Sequence, residues 1–284
     1  IEGVARAKGE LFAGMRQDTV AVVNYDDPYV RRLPRNSDSI IWFAITPAGR
    51  RYKPSVKATR IKHFGEHGMR FTLHLNDWKA RITISAPGVH NVSNCTAAAG
   101  IAFAAGITPE TIVSALTSYR SVDKRMQFMT LPGGVRVLND SYNANPASMA
   151  AALQTVSSFG MSSHKCRRIA LLGDMLELGH DADRAHTEVG RMVAALGYDQ
   201  LAVTGSFAVH VVRGACSGGL PKEKAHVFSS TLEIADWLYG EMLQGRVTKG
   251  DWLLVKGSRG MRMEEVLQEL EHRFASGIKE GGKK

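Results

Sequence analysis

From about Arg125 onward, short apolar runs alternate with helix-patterned segments, and this alternation restricts the fold more than any other feature of the chain. The runs span residues 135–138, 168–172, 200–203, 226–228 and 252–255. Helical patterns lie at 147–157, 182–196, 206–214, 232–243 and 262–274. Regular strand–helix alternation predicts an α/β unit, with a mostly parallel sheet and helices on both faces.

The first part of the chain has another rhythm. A helix is predicted over 3–13 and a strand over 19–24, then a β-rich stretch with strands at 39–45, 56–63, 68–75 and 78–85. The last three alternate apolar and polar residues, and Asn76-Asp77 is a two-residue turn. Helices follow at 90–105 and 109–119, the second capped by Thr108 ahead of Pro109. The boundary between the two rhythms falls near 121–125. The Gly- and Lys-rich end after Ser276 is read as a flexible tail.

At 284 residues the chain is long enough for two domains. Its 44% hydrophobic and 22% charged residues are those of a globular protein with a sizeable core. The net charge of +9 suggests an anionic partner, yet the charge is mostly dispersed along the sequence apart from a basic end at 279–284. Without a recognition motif or interleaved basic and aromatic residues, no nucleic-acid partner is expected. A phosphate-rich small molecule, or solubility, accounts for the excess equally well. Three cysteines, Cys95, Cys166 and Cys216, make neither a disulfide framework nor a zinc set and fit a reducing cytosol. The longest small apolar run, 97–105, falls far short of the roughly 20 residues that span a bilayer, so membrane insertion is not expected. The chain does not open with Met and reads as the later part of a longer protein.

Four loops follow the strand runs of the second half, where ligands bind in open α/β sheets. Asp140-Ser141-Tyr142-Asn143-Ala144-Asn145-Pro146 brings a carboxylate and two amides to the first. Gly173-Asp174 and Thr204-Gly205-Ser206 follow the next two. Lys256-Gly257-Ser258-Arg259-Gly260 follows the last, where Lys256 and Arg259 suit a carboxylate or phosphate. Gly, Asp and Ser also serve as ordinary turn residues, but four such loops on one sheet edge favour a site. In the first part, His90, Asn91 and Asn94 open a helix, and their amides suit a purine edge as well as a helix cap. Lys8 reads as an ordinary surface lysine, and Asn24, with Asp26 and Asp27, as a turn. Neither G-x-x-x-x-G-K-[ST] followed by a helix nor a strand–helix G-x-G-x-x-G is present. The partial match at 277–283 is followed by Lys284 and has no helix after it.

Six segments, in order and over nearly the whole chain, resemble the Mur ligases. They are 2–12, containing Lys8; Asn24-Tyr25-Asp26-Asp27-Pro28; Pro87-Gly88-Val89-His90-Asn91-Val92-Ser93-Asn94; 139–146; 171–179, containing Asp174; and 255–264. The resemblance implies that residues 1–122 are the C-terminal part of a central ATPase domain. Residues 123–276 would then be a Rossmann-like, doubly wound domain and 277–284 the tail. The phosphate loop and further magnesium ligands would lie ahead of Ile1, leaving this chain inactive alone.

The activity implied is ATP-dependent amide-bond formation through an acyl phosphate, with ATP and Mg2+, in peptidoglycan precursor synthesis. The substrates implied are UDP-N-acetylmuramoyl-tripeptide and D-alanyl-D-alanine, acted on by a cytoplasmic monomer. The Asp-Asn-Pro-Arg signature of the diaminopimelate-adding branch is missing, and folylpolyglutamate and cyanophycin synthetases lack segments 140–146 and 171–179. The resemblance makes Lys8 a carbamylated, magnesium-binding catalytic residue. It places Asn24, His90, Asn91, Asn94, Arg125 and Asp140 at the nucleotide. It puts Asn143, Asn145, Asp174 and Ser258 at substrate and gives Lys256 and Arg259 a catalytic part beside the incoming amine. Family members more often carry Gly where Lys124 precedes the hinge arginine. The alternatives are a non-catalytic Mur-like module that binds precursor or nucleotide, another amino-acid-adding ligase of the family, and a Rossmann-like regulator that binds nucleotide or nucleic acid.

Overall fold

The computed structural model describes residues 2–119, 124–159 and 166–281. It divides into two compact units, residues 1–120 and 121–284.

The first unit contains α1 (Glu2–Ala13), β1 (Val20–Asn24), α2 (Pro28–Arg32), β2 (Ser39–Ala44), α3 (Pro47–Arg50), β3 (Val56–His63), β4 (Met69–Leu75), β5 (Trp78–Ile84), α4 (Val89–Ala104) and α5 (Pro109–Ser118). Its strands form one sheet in the order β1-β2-β3-β4-β5. β1, β2 and β3 are parallel, β4 runs antiparallel to β3, and β5 antiparallel to β4. Asn76-Asp77 joins β4 to β5, with Leu75 opposite Trp78 and Asn76 at φ +50°. Alternation decides which face is covered: Met69, Phe71, Leu73 and Leu75 of β4 are buried with Ile82 and Ile84 of β5. α4 lies across β1 to β4, adding Val92, Cys95 and Ala99 to that core. Burial pushes the Cys95 thiol up to about 11.

The second unit contains β6 (Gln127–Thr130), β7 (Arg136–Asp140), α6 (Pro146–Ser157), β8 (Arg168–Leu172), α7 (Ala182–Ala195), β9 (Gln200–Thr204), α8 (Ala208–Ser217), β10 (Ala225–Phe228), α9 (Thr231–Leu243), β11 (Trp252–Lys256) and α10 (Glu265–Gly281). The strand order is β10-β9-β8-β11-β7-β6, parallel except for β6. Successive strand residues serve opposite faces. Leu138, Ala170, Leu172 and Leu254 pack with α6, α7 and α8, while Val137, Ile169, Leu171, Leu253 and Val255 pack with α9 and α10. The chain steps from β7 to β10 in one direction along the sheet and then returns to place β11 between β7 and β8. Right-handed crossovers put the helices of the outward run on one face and that of the return on the other. β11 is therefore flanked on both sides by strands whose following helices leave toward the opposite face, which is a topological switch point.

Two differences from the sequence expectations stand out. β6 has no apolar run and is only half-buried, so its sequence gives no strand signal; it gains its place by pairing with β7. The final helix α10 continues to Gly281, through the stretch 277–281 that composition assigned to a tail.

Candidate functional site

In the second unit, the carboxyl ends of β7, β8 and β11 are stitched together by polar side chains. Lys256, the last residue of β11, is 1% exposed. Its ammonium donates to the Asp140 carboxylate at the end of β7, to the Asn143 carbonyl at 2.9 Å and to the Asp140 carbonyl at 3.4 Å. Three acceptors match the three N–H groups of a lysine. Burial lowers the Lys256 pKa and the nearby Arg125 adds to this, while Asp140 opposes the shift. The other Asp140 oxygen accepts the Met126 amide at 3.0 Å, fastening the start of β6.

The remaining loops join this frame. Ser258 Oγ accepts the Leu176 amide at 2.8 Å and donates to the Ala144 carbonyl at 3.3 Å. The Ser258 amide donates to the Asp174 carbonyl at 2.9 Å. The Asp174 carboxylate, 3% exposed, accepts the amides of Ser206 and Phe207 at 2.7 and 3.1 Å. Gly205 makes that approach possible, because a Cβ there would lie 2.4 Å from the carboxylate carbon and its φ is +118°. His186 is buried beneath the same loop. Its Nε2 accepts the Met175 amide at 2.9 Å and its Nδ1 lies 2.7 Å from the Ala182 carbonyl. An acceptor at Nε2 and a donor at Nδ1 define the neutral ring as a fixed structural pin.

The residues expected from sequence differ in how far their polar groups are already engaged. Lys256, Asp174 and Ser258 build the site from beneath, because their polar groups already have partners within the protein. Asn145 is the N-cap of α6, accepting the Ser148 amide at 2.9 Å in a reciprocal capping box. Asn143 and Arg259 do reach an open pocket of ≈ 320 Å³, lined also by Tyr142, Leu176, Glu177, Ser258 and Gly260. The Arg259 side chain is 55% exposed and held at 2.5 Å by Glu264. Lys124 reaches the same Glu264 oxygen at 3.0 Å, and its φ of +63° is one that glycine adopts most easily. Arg125 stacks over the Tyr142 ring at 4.1 Å. Residue 123 of the expected hinge lies outside the described residues.

Glu264 had no role assigned from sequence. It is 5% exposed, and its second oxygen is buried without a partner among the described residues. Burial would raise its pKa, but hydrogen bonds from its own amide, Lys124 and Arg259 outweigh that and lower it. Spacing along the chain does not reveal which carboxylate folds back onto an arginine five residues away. Tyr142, Leu176 and Glu177 were inside noticed loops but had no individual signal.

In the first unit, Asn24 Oδ1 accepts the Asp26 amide at 2.9 Å, a turn closing β1. Asp26 accepts the Ile45 and Thr46 amides at 2.6 and 3.1 Å and so ties the end of β1 to the end of β2. β5 runs in the direction of β1, so the start of α4 lies on the same sheet edge. There His90 and Asn94 are exposed, while Asn91 donates to the Pro87 carbonyl at 2.6 Å. Lys8 is exposed on α1. No three His, Cys, Asp or Glu converge into a metal cluster among the described residues.

A doubly wound sheet with stitched loops at its switch point, following a mixed sheet with polar groups at one edge, is an α/β architecture whose strand ends are suited to binding a ligand. The chain belongs to the Mur ligase family: residues 1–102 match the Mur ligase middle domain, and residues 124–259 match the Mur ligase, glutamate ligase domain. Members of this family are ATP-dependent ligases. The chain is 31% identical over 280 residues to the UDP-N-acetylmuramoyl-tripeptide–D-alanyl-D-alanine ligase of Escherichia coli K12, with 95% of this chain and 56% of that protein covered. It is 30% identical over 293 residues to the ligase of the same name from Mycobacterium tuberculosis H37Rv, covering 95% of this chain and 54% of that one. Its fold superposes on the crystal structure of MurF from Acinetobacter baumannii with a TM-score of 0.80 and 27% identity, covering 95% of this chain and 55% of the other. The chain thus spans about half the length of the relatives it matches.

Proposed function

We propose that this chain forms the adenine-side and acceptor-side portion of an ATP-dependent ligase that joins D-alanyl-D-alanine to UDP-N-acetylmuramoyl-tripeptide. The observation carrying this reading is the pocket at the switch point, which offers a fixed cation, a carboxylate and an amide together. A zwitterionic dipeptide has complementary groups. Its carboxylate meets Arg259, its ammonium meets Glu177, and Asn143 supplies hydrogen bonds to the peptide. Lys256 and Asp140 hold the floor of this pocket rigid, which is how positioning contributes to an acyl-phosphate reaction. His90, Asn91 and Asn94, with Asn24 on the same edge, serve the adenine side in this reading, and Arg125 with Tyr142 the nucleotide.

Magnesium, if bound, would draw on ATP phosphates and water as well as on this chain, as such a hard cation commonly does. Lys8, open to solvent, would give one carboxylate-like ligand as a carbamate, and the ion would supply charge neutralisation at the phosphates. In the active enzyme, Lys8→Ala should lose activity and regain part of it with acetate, and full activity without acetate would remove Lys8 from the site. A cytosolic reaction accords with the lack, among the described residues, of a helix long and apolar enough to cross a membrane.

The test is to express the whole reading frame that encodes this chain and follow phosphate release from ATP. Release that requires both the UDP-linked tripeptide and D-alanyl-D-alanine is expected. Release indifferent to the dipeptide would overturn the acceptor assignment.

A further inference from the structure

The basic excess is not shared evenly between the units. Residues 1–120 hold sixteen Lys and Arg against nine Asp and Glu, whereas residues 121–284 hold twenty against eighteen. Within the first unit, residues 50–81 alone carry nine bases and two acids. Charge that looked dispersed along the sequence is gathered by β3, β4 and β5.

The pairing register shows how. The sheet face away from α4 presents rows of directly opposed residues: Lys57, His74 and Lys79 in one row, then Thr59, Thr72 and Arg81. Lys62, Arg70 and Thr83 form a third. Arg60 joins them from the β3 bulge between Thr59 and Lys62, at φ +52°. Like charges directly opposite destabilise a sheet, as Lys62 and Arg70 are here, and none of the Lys and Arg residues of this face has an ion pair among the described residues. Burial lowers the His74 pKa, and Lys57, Lys79, Arg50 and Arg60 lower it further, as a strongly positive face requires.

We infer that this face is a docking surface for an anionic lipid bilayer. Lys62 and Arg70 lie directly opposite each other, Lys57 and Lys79 flank His74 two strands or about 10 Å apart, and alternate residues lie about 7 Å apart along each strand. That is a two-dimensional lattice, matched to a plane of anionic headgroups and not to a single strand of phosphates. A single-stranded nucleic acid is held in a groove with aromatic stacking platforms, whereas the residues between these cations are threonines. The exposed aromatic at the rim is Phe64, 37% exposed, with the Arg70 guanidinium 4.2 Å above its ring. An apolar ring carrying a cation suits the headgroup boundary. The contact is peripheral, since no described helix is long and apolar enough to cross.

The experiment is sedimentation of the chain with phosphatidylcholine vesicles, with and without phosphatidylglycerol, at low salt. Two four-site variants accompany it. One replaces Lys57, Arg70, Lys79 and Arg81 with Thr, which favours strands. The other replaces Arg184, Arg191, Lys222 and Lys224 with Gln and removes equal charge from the second unit. Binding only to phosphatidylglycerol vesicles is expected, weakened by added salt. At about five-fold per cation, the sheet variant should bind more than about 100-fold more weakly. The second variant should bind like the parent. Circular dichroism of both variants separates loss of binding from loss of fold. Failure of the parent to sediment would overturn the inference, and so would equal weakening in both variants. Binding of a fluorescent single-stranded oligonucleotide with no vesicle binding would assign the face to nucleic acid instead.

Discussion

Around the switch point of the second unit, cations are met by carboxylates: Lys256 by Asp140, and Lys124 and Arg259 by Glu264. On the sheet face of the first unit, Lys62 lies opposite Arg70, and Lys57 and Lys79 flank His74, with no such carboxylate partner among the described residues. The same residue types are thus used in opposite ways. In the second unit, paired charge ties loops together and leaves one side chain, Arg259, aimed into a pocket. In the first, unpaired charge is kept outward at a cost in stability. The difference separates charge that builds a site from charge that awaits a partner.

The comparison can be broken most forcefully at Asp140. Asp140→Ala leaves the Lys256 ammonium buried without its carboxylate and should cost about 3–5 kcal/mol, read by urea denaturation. A loss below about 1 kcal/mol would mean that the pair is solvated and the loops are not held as described.

Glu264→Gln comes next, with an expected loss of about 1 kcal/mol at neutral pH. Its pH dependence is the sharper readout. The Glu264 pKa is lowered from the ordinary 4.5. Its contribution is therefore complete above that value and is lost as pH falls through the lower folded value. Replacing it should flatten the acid side of the stability profile. An unchanged acid slope would place the charge coupling elsewhere.

Arg259→Ala should leave the fold intact and cost no more than about 1 kcal/mol, because Lys124 still meets the Glu264 carboxylate. In the active enzyme it should raise the dipeptide KM at least about ten-fold, the effect of one lost charge-assisted hydrogen bond. The smallest effect is expected at Arg81. Arg81→Thr should stabilise the first unit by a few tenths of a kcal/mol, because β5 accepts Thr well opposite Thr72 and the face loses one positive charge. Destabilisation would indicate that Arg81 has a partner and is not held against its neighbours.

What the sequence made legible follows the physical range of each signal. Strand–helix alternation and the β4–β5 turn are local patterns, and both appear where expected. The loops at 140–146, 173–174 and 256–260 were recognisable because glycine and short polar residues mark strand ends facing a ligand. Which member of each loop meets solvent was not legible. Lys256 and Asp140 lie 116 positions apart, and only the parallel register of β11 and β7 brings them together. Glu264 and Lys124 are separated even further along the chain. The cationic face escaped notice for the same reason, since β3, β4 and β5 contribute only a few bases each and become one surface only by pairing.

The central claim is that the pocket beside Arg259 takes the acceptor. An NMR titration of the isotopically labelled chain with D-alanyl-D-alanine tests it directly. The account predicts saturable amide shifts concentrated at Asn143, Glu177, Arg259 and Gly260, and their loss in Arg259→Ala. Shifts confined to the first unit, or none at millimolar dipeptide, would contradict it.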